Sequence, residues 1–208
     1  MNIDYFSLLE RGKINDDMIQ TVKDRLLLKY NESFEVIKIG QRYGMGTFDT
    51  ARIICHPKEN RKLLFTTVLN KDKVTLEDDY IIRSISYEIE ELIEKEYKKK
   101  DIETMIKVHI FRNTIPNKKI SLKEFQEKYD NESVLVKIYM KGKNHKKDSK
   151  EVMKEVRKEC SLNLRGSIKE LEEEKYNHLK EIIKDIPGNI NHTVGKEDII
   201  EEYRVEEV

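Results

Sequence analysis

The sequence predicts an α+β protein built as two contiguous subdomains, and three observations predict it. Short β-branched and aromatic runs alternate with longer runs whose apolar residues recur every three to four positions. In the first half the connections between strand-like runs are short, which favours antiparallel hairpins over parallel crossovers. Hydrophobic residues make up 38% of the 208, and charged residues another 38% with 40 bases against 40 acids. A balanced charge beside that apolar share excludes the high-net-charge, apolar-poor composition of disordered chains. This length suits one large domain or two small ones.

The first subdomain, residues 1–100, reads helix, three antiparallel strands, helix. Asn15, Asp16 and Asp17 are placed to cap a helix whose stripe is Met18, Val22, Leu26 and Tyr30, and their acids suit its positive end. Asn31 and Glu32 break that period. Phe34 to Ile39, Phe48 to Cys55 and Leu63 to Leu69 are the three strands. Asp78 or Asp79 then caps a long helix with the stripe Ile81, Ile85, Ile89, Leu92, Ile93 and Tyr97, closed by Lys98, Lys99 and Lys100 at its negative end.

The second subdomain, residues 101–208, reads as a βαβαβ-type layer in the order strand, helix, strand, helix, helix, strand. From Met105 to Phe111, Ile106, Val108 and Ile110 point one way and Met105, Lys107, His109 and Phe111 the other. Ser121 to Glu124 forms a capping box for a short helix through Tyr129. Val134 to Met140 is the next strand, and a helix bearing Val152, Met153 and Val156 starts at Asp148 or Ser149. Asn163 to Gly166 reads as a break, and Ser167 to Glu170 as a second capping box for a helix to about Ile186. Pro187 and Gly188 stop it, and Ile190 to Val208 is expected to add one further strand, with a helical turn over Lys196 to Tyr203 as the alternative. The subdomain boundary falls in the charge cluster Lys98 to Glu103.

The usual chemical motifs fail on spacing or facing. Cys55 and His56 are adjacent in a strand, so their side chains diverge and form no nucleophile–base pair. Cys160 closes a helix, and the two thiols make no disulfide framework. No two of His56, His109, His145, His178 and His192 stand three or four apart, so no helix presents a metal pair. Gly44-Met45-Gly46 has neither the third glycine of a dinucleotide turn nor the lysine of a P-loop, and suits a hairpin. The reading therefore assigns no catalytic, cofactor-binding or metal-ligating residue. A formal net charge of +0 argues against a bulk nucleic-acid or membrane binder, and no apolar run approaches the roughly 18 residues of a membrane span.

Charge is distributed unevenly. Residues 103–165 hold 16 bases and 9 acids, whereas residues 166–208 hold 6 bases and 12 acids. Within the basic stretch Lys137, Lys141, Lys143, Lys146, Lys147 and Lys150 crowd a strand-to-helix loop beside His145. Clustered lysines neutralise phosphates, which makes this a candidate anion patch. Specific nucleic-acid readers add Arg forks and stacking rings, and here Tyr139 is the one aromatic.

Phe48-Asp-Thr-Ala-Arg-Ile-Ile-Cys-His-Pro57, then Leu64-Phe65-Thr-Thr-Val68, then Asp78-Asp-Tyr80 entering a long helix, resembles uncharacterised α+β modules of Gram-positive bacterial cell-envelope and lipoprotein-type proteins. The resemblance covers about residues 15–100 and implies no activity and no catalytic residues. Such modules often follow a membrane anchor or lipoprotein signal. The chain as given reads as cytoplasmic, or as an envelope protein from which an anchor has been removed. The expected function is a non-enzymatic binding module whose partner is a protein or an envelope component. The alternatives are an enzyme with its site where the subdomains join, and an anion or nucleic-acid binder through Lys137 to Lys150.

Overall fold

The computed structural model describes residues 14–39, 50–70, 75–110, 118–129, 133–183 and 198–208. The expected glycine hairpin at Gly44 and Gly46 lies outside them. The protein is α+β, and its described residues divide into two compact units. The first unit runs to Ile81 and also takes Lys118 and Lys119, and the second begins at Ile82.

In the first unit, α1 (Ile14–Tyr30) is followed by β1 (Phe34–Ile39), β2 (Thr50–Pro57), β3 (Phe65–Asn70) and the short β4 (Leu76–Asp78). The strands lie in sequence order, all antiparallel, so the expected three-stranded sheet has a fourth strand. Three residues are too few to show a period, and β4 leaves no pattern of its own. Met18, Val22 and Leu26 are buried, and Asn31 ends α1 with a φ of 54°. That left-handed geometry is one Asn adopts more readily than most residues. Tyr30, Phe34, Phe65 and Tyr80 pack together, edge-to-face except for the tilted Phe65–Tyr80 pair, with neighbouring ring centroids 4.8–6.0 Å apart. Asp78 accepts hydrogen bonds from the Tyr30 hydroxyl and the Tyr80 backbone N–H, and pairs with Lys29 at 2.8 Å.

That Tyr80 N–H opens α2 (Tyr80–Lys98), which from Ile82 onward belongs to the second unit. The physical reason is a clamp on the next strand, β5 (Thr104–Ile110). The Arg83 guanidinium donates to the Val108 carbonyl, and the Glu90 carboxylate accepts from the Val108 N–H at 2.8 Å. Next come α3 (Leu122–Lys128), β6 (Ser133–Lys141), α4 (Lys146–Glu159), β7 (Asn163–Leu171), α5 (Glu173–Ile183), β8 (Ile199–Arg204) and a 3₁₀ turn, Val205–Glu207. Ser121 and Glu124 make the expected reciprocal capping box at α3.

The stretch expected as a break and a second capping box is instead β7, and α5 begins only at Glu173. Ser-x-x-Glu is a local signal, and here the parallel pairing of Asn163–Leu171 with all of β6 overrides it. The second sheet runs β5-β6-β7-β8. One parallel crossover, β6-α4-β7, is flanked by antiparallel strands on both sides. Its even-numbered face buries Ile106, Val108, Val134, Val136, Ile138, Leu164 and Ile168. The odd-numbered face carries α5 through a cluster of Met105, Tyr139, Leu171, Tyr176 and Leu179.

Candidate functional site

Side-chain alternation puts Lys107 on the odd face of β5, and strand register then gathers other cations around it. Lys107 pairs with Lys137 across β5 and β6, Lys137 with Ser167 across β6 and β7, and Ser167 with Arg204 across β7 and β8. Paired residues project to the same face, so one row crosses all four strands as Lys-Lys-Ser-Arg. In the adjoining row His109 pairs with Leu135, and Leu135 with Arg165. On the other side of the cationic row lies Met105-Tyr139-Lys169, the part of the face that α5 covers. Lys107, His109, Lys137 and Ser167 are half-buried, and Arg165 and Arg204 are exposed.

The setting weakens the protonated forms on β5. Burial holds the Lys107 ammonium below its ordinary range; the Arg83 charge adds to this and the Glu90 carboxylate works against it. Burial likewise lowers His109, helped by the charges of Arg83 and Lys137.

Of the six lysines expected to form an anion patch, only Lys137 lies in this row. Lys141 ends β6 in an ion pair with Glu173 at 2.5 Å, with Glu103 also 3.9 Å away. Lys143 is exposed in the following loop, and Lys146, Lys147 and Lys150 are exposed on the first turns of α4. The Lys146 ammonium stands 5.7 Å from the centre of the Tyr203 ring. The positive end of α4 already holds an anion from within the fold. Glu170, fully buried, accepts from the backbone N–H groups of Asn144 and His145, each at 2.7 Å. The Tyr203 hydroxyl also donates to Glu170, at 3.3 Å, and lies 3.0 Å from the Ser149 hydroxyl.

Sequence reasoning missed Lys107, Ser167 and Arg204 as site residues. The alternation of β5 exposed which way Lys107 points, but its neighbours depend on the register of strands 30 to 97 residues away. Ser167 was further hidden by its place in an expected capping box.

A cleft of about 710 Å³ in the second unit is lined by Glu94, Lys98, Glu103, Thr104, Lys141 and Lys180. Its charges neutralise one another: Lys180 meets Glu103 at 2.6 Å, and Lys98 meets Glu94 at 2.7 Å. The thiols have no nucleophilic setting. Cys55 is fully buried beside the Thr67 hydroxyl, and burial pushes its thiol up to about 12. Cys160, also buried, is raised by the same cause. His56, buried next to Cys55 in sequence, has its Nδ1 2.7 Å from the Pro57 carbonyl oxygen. Among the described residues, no helix is long and apolar enough to cross a membrane.

No family model and no curated protein matches the chain. Among solved structures, a DUF5037 family protein from Ruminococcus gnavus is similar, with a TM-score of 0.62, 20% identity and 90% of each chain covered. A GH3.15 acyl acid amido synthetase aligns at a TM-score of 0.33 and 8% identity, covering 82% of this chain and 38% of that one. What this chain shares with the DUF5037 family protein is its fold.

Proposed function

We propose that this chain is a non-enzymatic binding module that takes an acidic protein segment on the odd face of its second sheet. The observation that carries this reading is the row Lys107-Lys137-Ser167-Arg204. Like charges directly opposite across two strands destabilise a sheet, and an anionic partner turns that cost into attraction. A protein segment suits the row better than nucleic acid. Tyr139, the ring nearest in register, is buried under α5 and offers no stacking surface. Following the resemblance of residues 15–100 to Gram-positive envelope modules, we place the partner among proteins of the bacterial cell envelope.

The test is fluorescence anisotropy with labelled polyglutamate and a mixed-sequence single-stranded oligonucleotide across a salt series. The expected result is salt-sensitive polyglutamate binding that the triple variant K107Q/K137Q/R204Q abolishes and the loop variant K143Q/K146Q/K147Q/K150Q retains. Binding that survives the triple variant, or that favours the oligonucleotide, overturns the proposal.

A further inference from the structure

The odd face of the second sheet holds an amine in an unusual position. Val108 gives its N–H to Glu90 and accepts from Arg83, both on α2 and therefore away from β6. Val108 and Val136 thus form a non-hydrogen-bonded pair, and the neighbouring Lys107 and Lys137 form a hydrogen-bonded pair with Cα atoms about 5.5 Å apart. Lys107 stands half-buried at that point, with Lys137 opposite and Ser167 one strand beyond, about 4.8 Å further on.

We propose that Lys107 is a covalent capture site, whose amine forms an imine with a small aldehyde or 2-oxo acid while the anionic group of that ligand rests on Lys137 and Ser167. This rests on reading the row as an anion site and adds a reactive group to it. In the step, the lone pair of the neutral Lys107 amine attacks the carbonyl carbon, and the carbonyl π electrons move to oxygen. The carbinolamine then expels that oxygen as water, which carries off the two amine hydrogens. No oxidant or reductant is consumed, and water reverses the step.

A neutral amine is the form required, and burial and Arg83 both favour it, with Glu90 opposing. His109, two residues along the same face, is also held toward its neutral form by burial and by the charges of Arg83 and Lys137. Lys137 and Ser167 supply a cation and a hydroxyl donor at fixed spacing, which suits a carboxylate or phosphate.

The experiment treats the full chain with pyridoxal 5′-phosphate as the anionic probe, or propionaldehyde as the neutral one, then traps imines with borohydride and maps them by mass spectrometry. The phosphate-bearing probe is expected to label Lys107 about tenfold faster at pH 7 than an exposed lysine such as Lys143, as a desolvated amine should react. Its rate should level off at a pH below the ordinary lysine range, and K107R should remove the label. K137M should slow labelling by pyridoxal phosphate about tenfold and leave propionaldehyde labelling unchanged, since one charged contact contributes roughly that factor. Labelling spread evenly over exposed lysines overturns the proposal, as does Lys107 labelling indifferent to the charge of the aldehyde. If polyglutamate still binds while Lys107 stays unlabelled, the capture site falls and the binding module stands; loss of both shows that the row takes no anion.

Discussion

Gly166 stands so close to Val136 across the parallel pairing of β6 and β7 that a Cβ built on it would lie 1.9 Å from the Val136 carbonyl oxygen. Its φ of 141° lies in the region that only glycine adopts readily. Backbone atoms cannot yield as a flexible side chain would. Gly166→Ala should therefore destabilise the protein by about 3 kcal/mol or more, enough to unfold many domains. Urea denaturation followed by circular dichroism measures this; a loss below about 1 kcal/mol would mean that β7 does not lie where described.

The same glycine shows where the sequence stopped being legible. Asn163 to Gly166 reads locally as a break, because glycine and asparagine usually end elements. Inside β7 the glycine does the opposite and lets two strand backbones approach. Ser167 and Glu170 satisfy a capping pattern, yet Ser167 sits in the cationic row and Glu170 caps a different helix, 25 residues earlier. Elements whose signals are periodic or self-contained read correctly: β1 to the residue, the α3 capping box, and the facing of β5. The candidate site is a product of strand register, and no single strand carries it.

Glu170 should prove one of the most sensitive acids in the chain. It is buried, and its acceptors serve two backbone N–H groups and one hydroxyl. Glu170→Ala strands these donors and should cost about 3 kcal/mol, whereas Glu170→Gln, which keeps one acceptor oxygen, should cost about half as much. Thermal melts of both variants check this, and equal effects would show that volume rather than hydrogen bonding matters there.

The Arg83 and Glu90 pair closes the outer edge of β5 at Val108. Both residues are less than 10% exposed, so removing either leaves a buried charge and an unsatisfied backbone group. Arg83→Ala and Glu90→Ala should each cost roughly 3 kcal/mol. The double variant should cost clearly less than the sum, because the second removal takes away a charge already left unpaired. Hydrogen exchange gives a residue-level readout: the Val108 amide should lose protection in Glu90→Ala.

The two thiols report on core integrity. Burial raises both, Cys55 to about 12, so at pH 8 almost no thiolate is present and none is accessible. Labelling by a disulfide reagent under native conditions should run at least about 100-fold slower than in urea and should track unfolding. Labelling of either cysteine within minutes at pH 8 would place it outside the core.

Lys107 ties stability to pH with a definite sign. Its folded pKa is depressed, so the folded state carries fewer protons than the unfolded chain between that value and the ordinary lysine value. Stability contributed by this group therefore rises with pH through that window, and below it the full penalty of a half-buried ammonium near Arg83 is present. Lys107→Met removes the penalty and keeps the apolar stem. At pH 7 the variant should be more stable by roughly 0.5–1 kcal/mol, the size of a cross-strand side-chain pair interaction. The gain should shrink as pH climbs toward 10.5, because the wild-type amine is by then neutral in the fold. Urea midpoints at pH 7 and pH 10 measure both arms. A destabilised variant at pH 7 would mean that the ammonium is satisfied within the fold, and the anionic partner would lose its physical motive. A stabilised variant that no longer binds polyglutamate would identify Lys107 as a residue kept for recognition at the expense of stability.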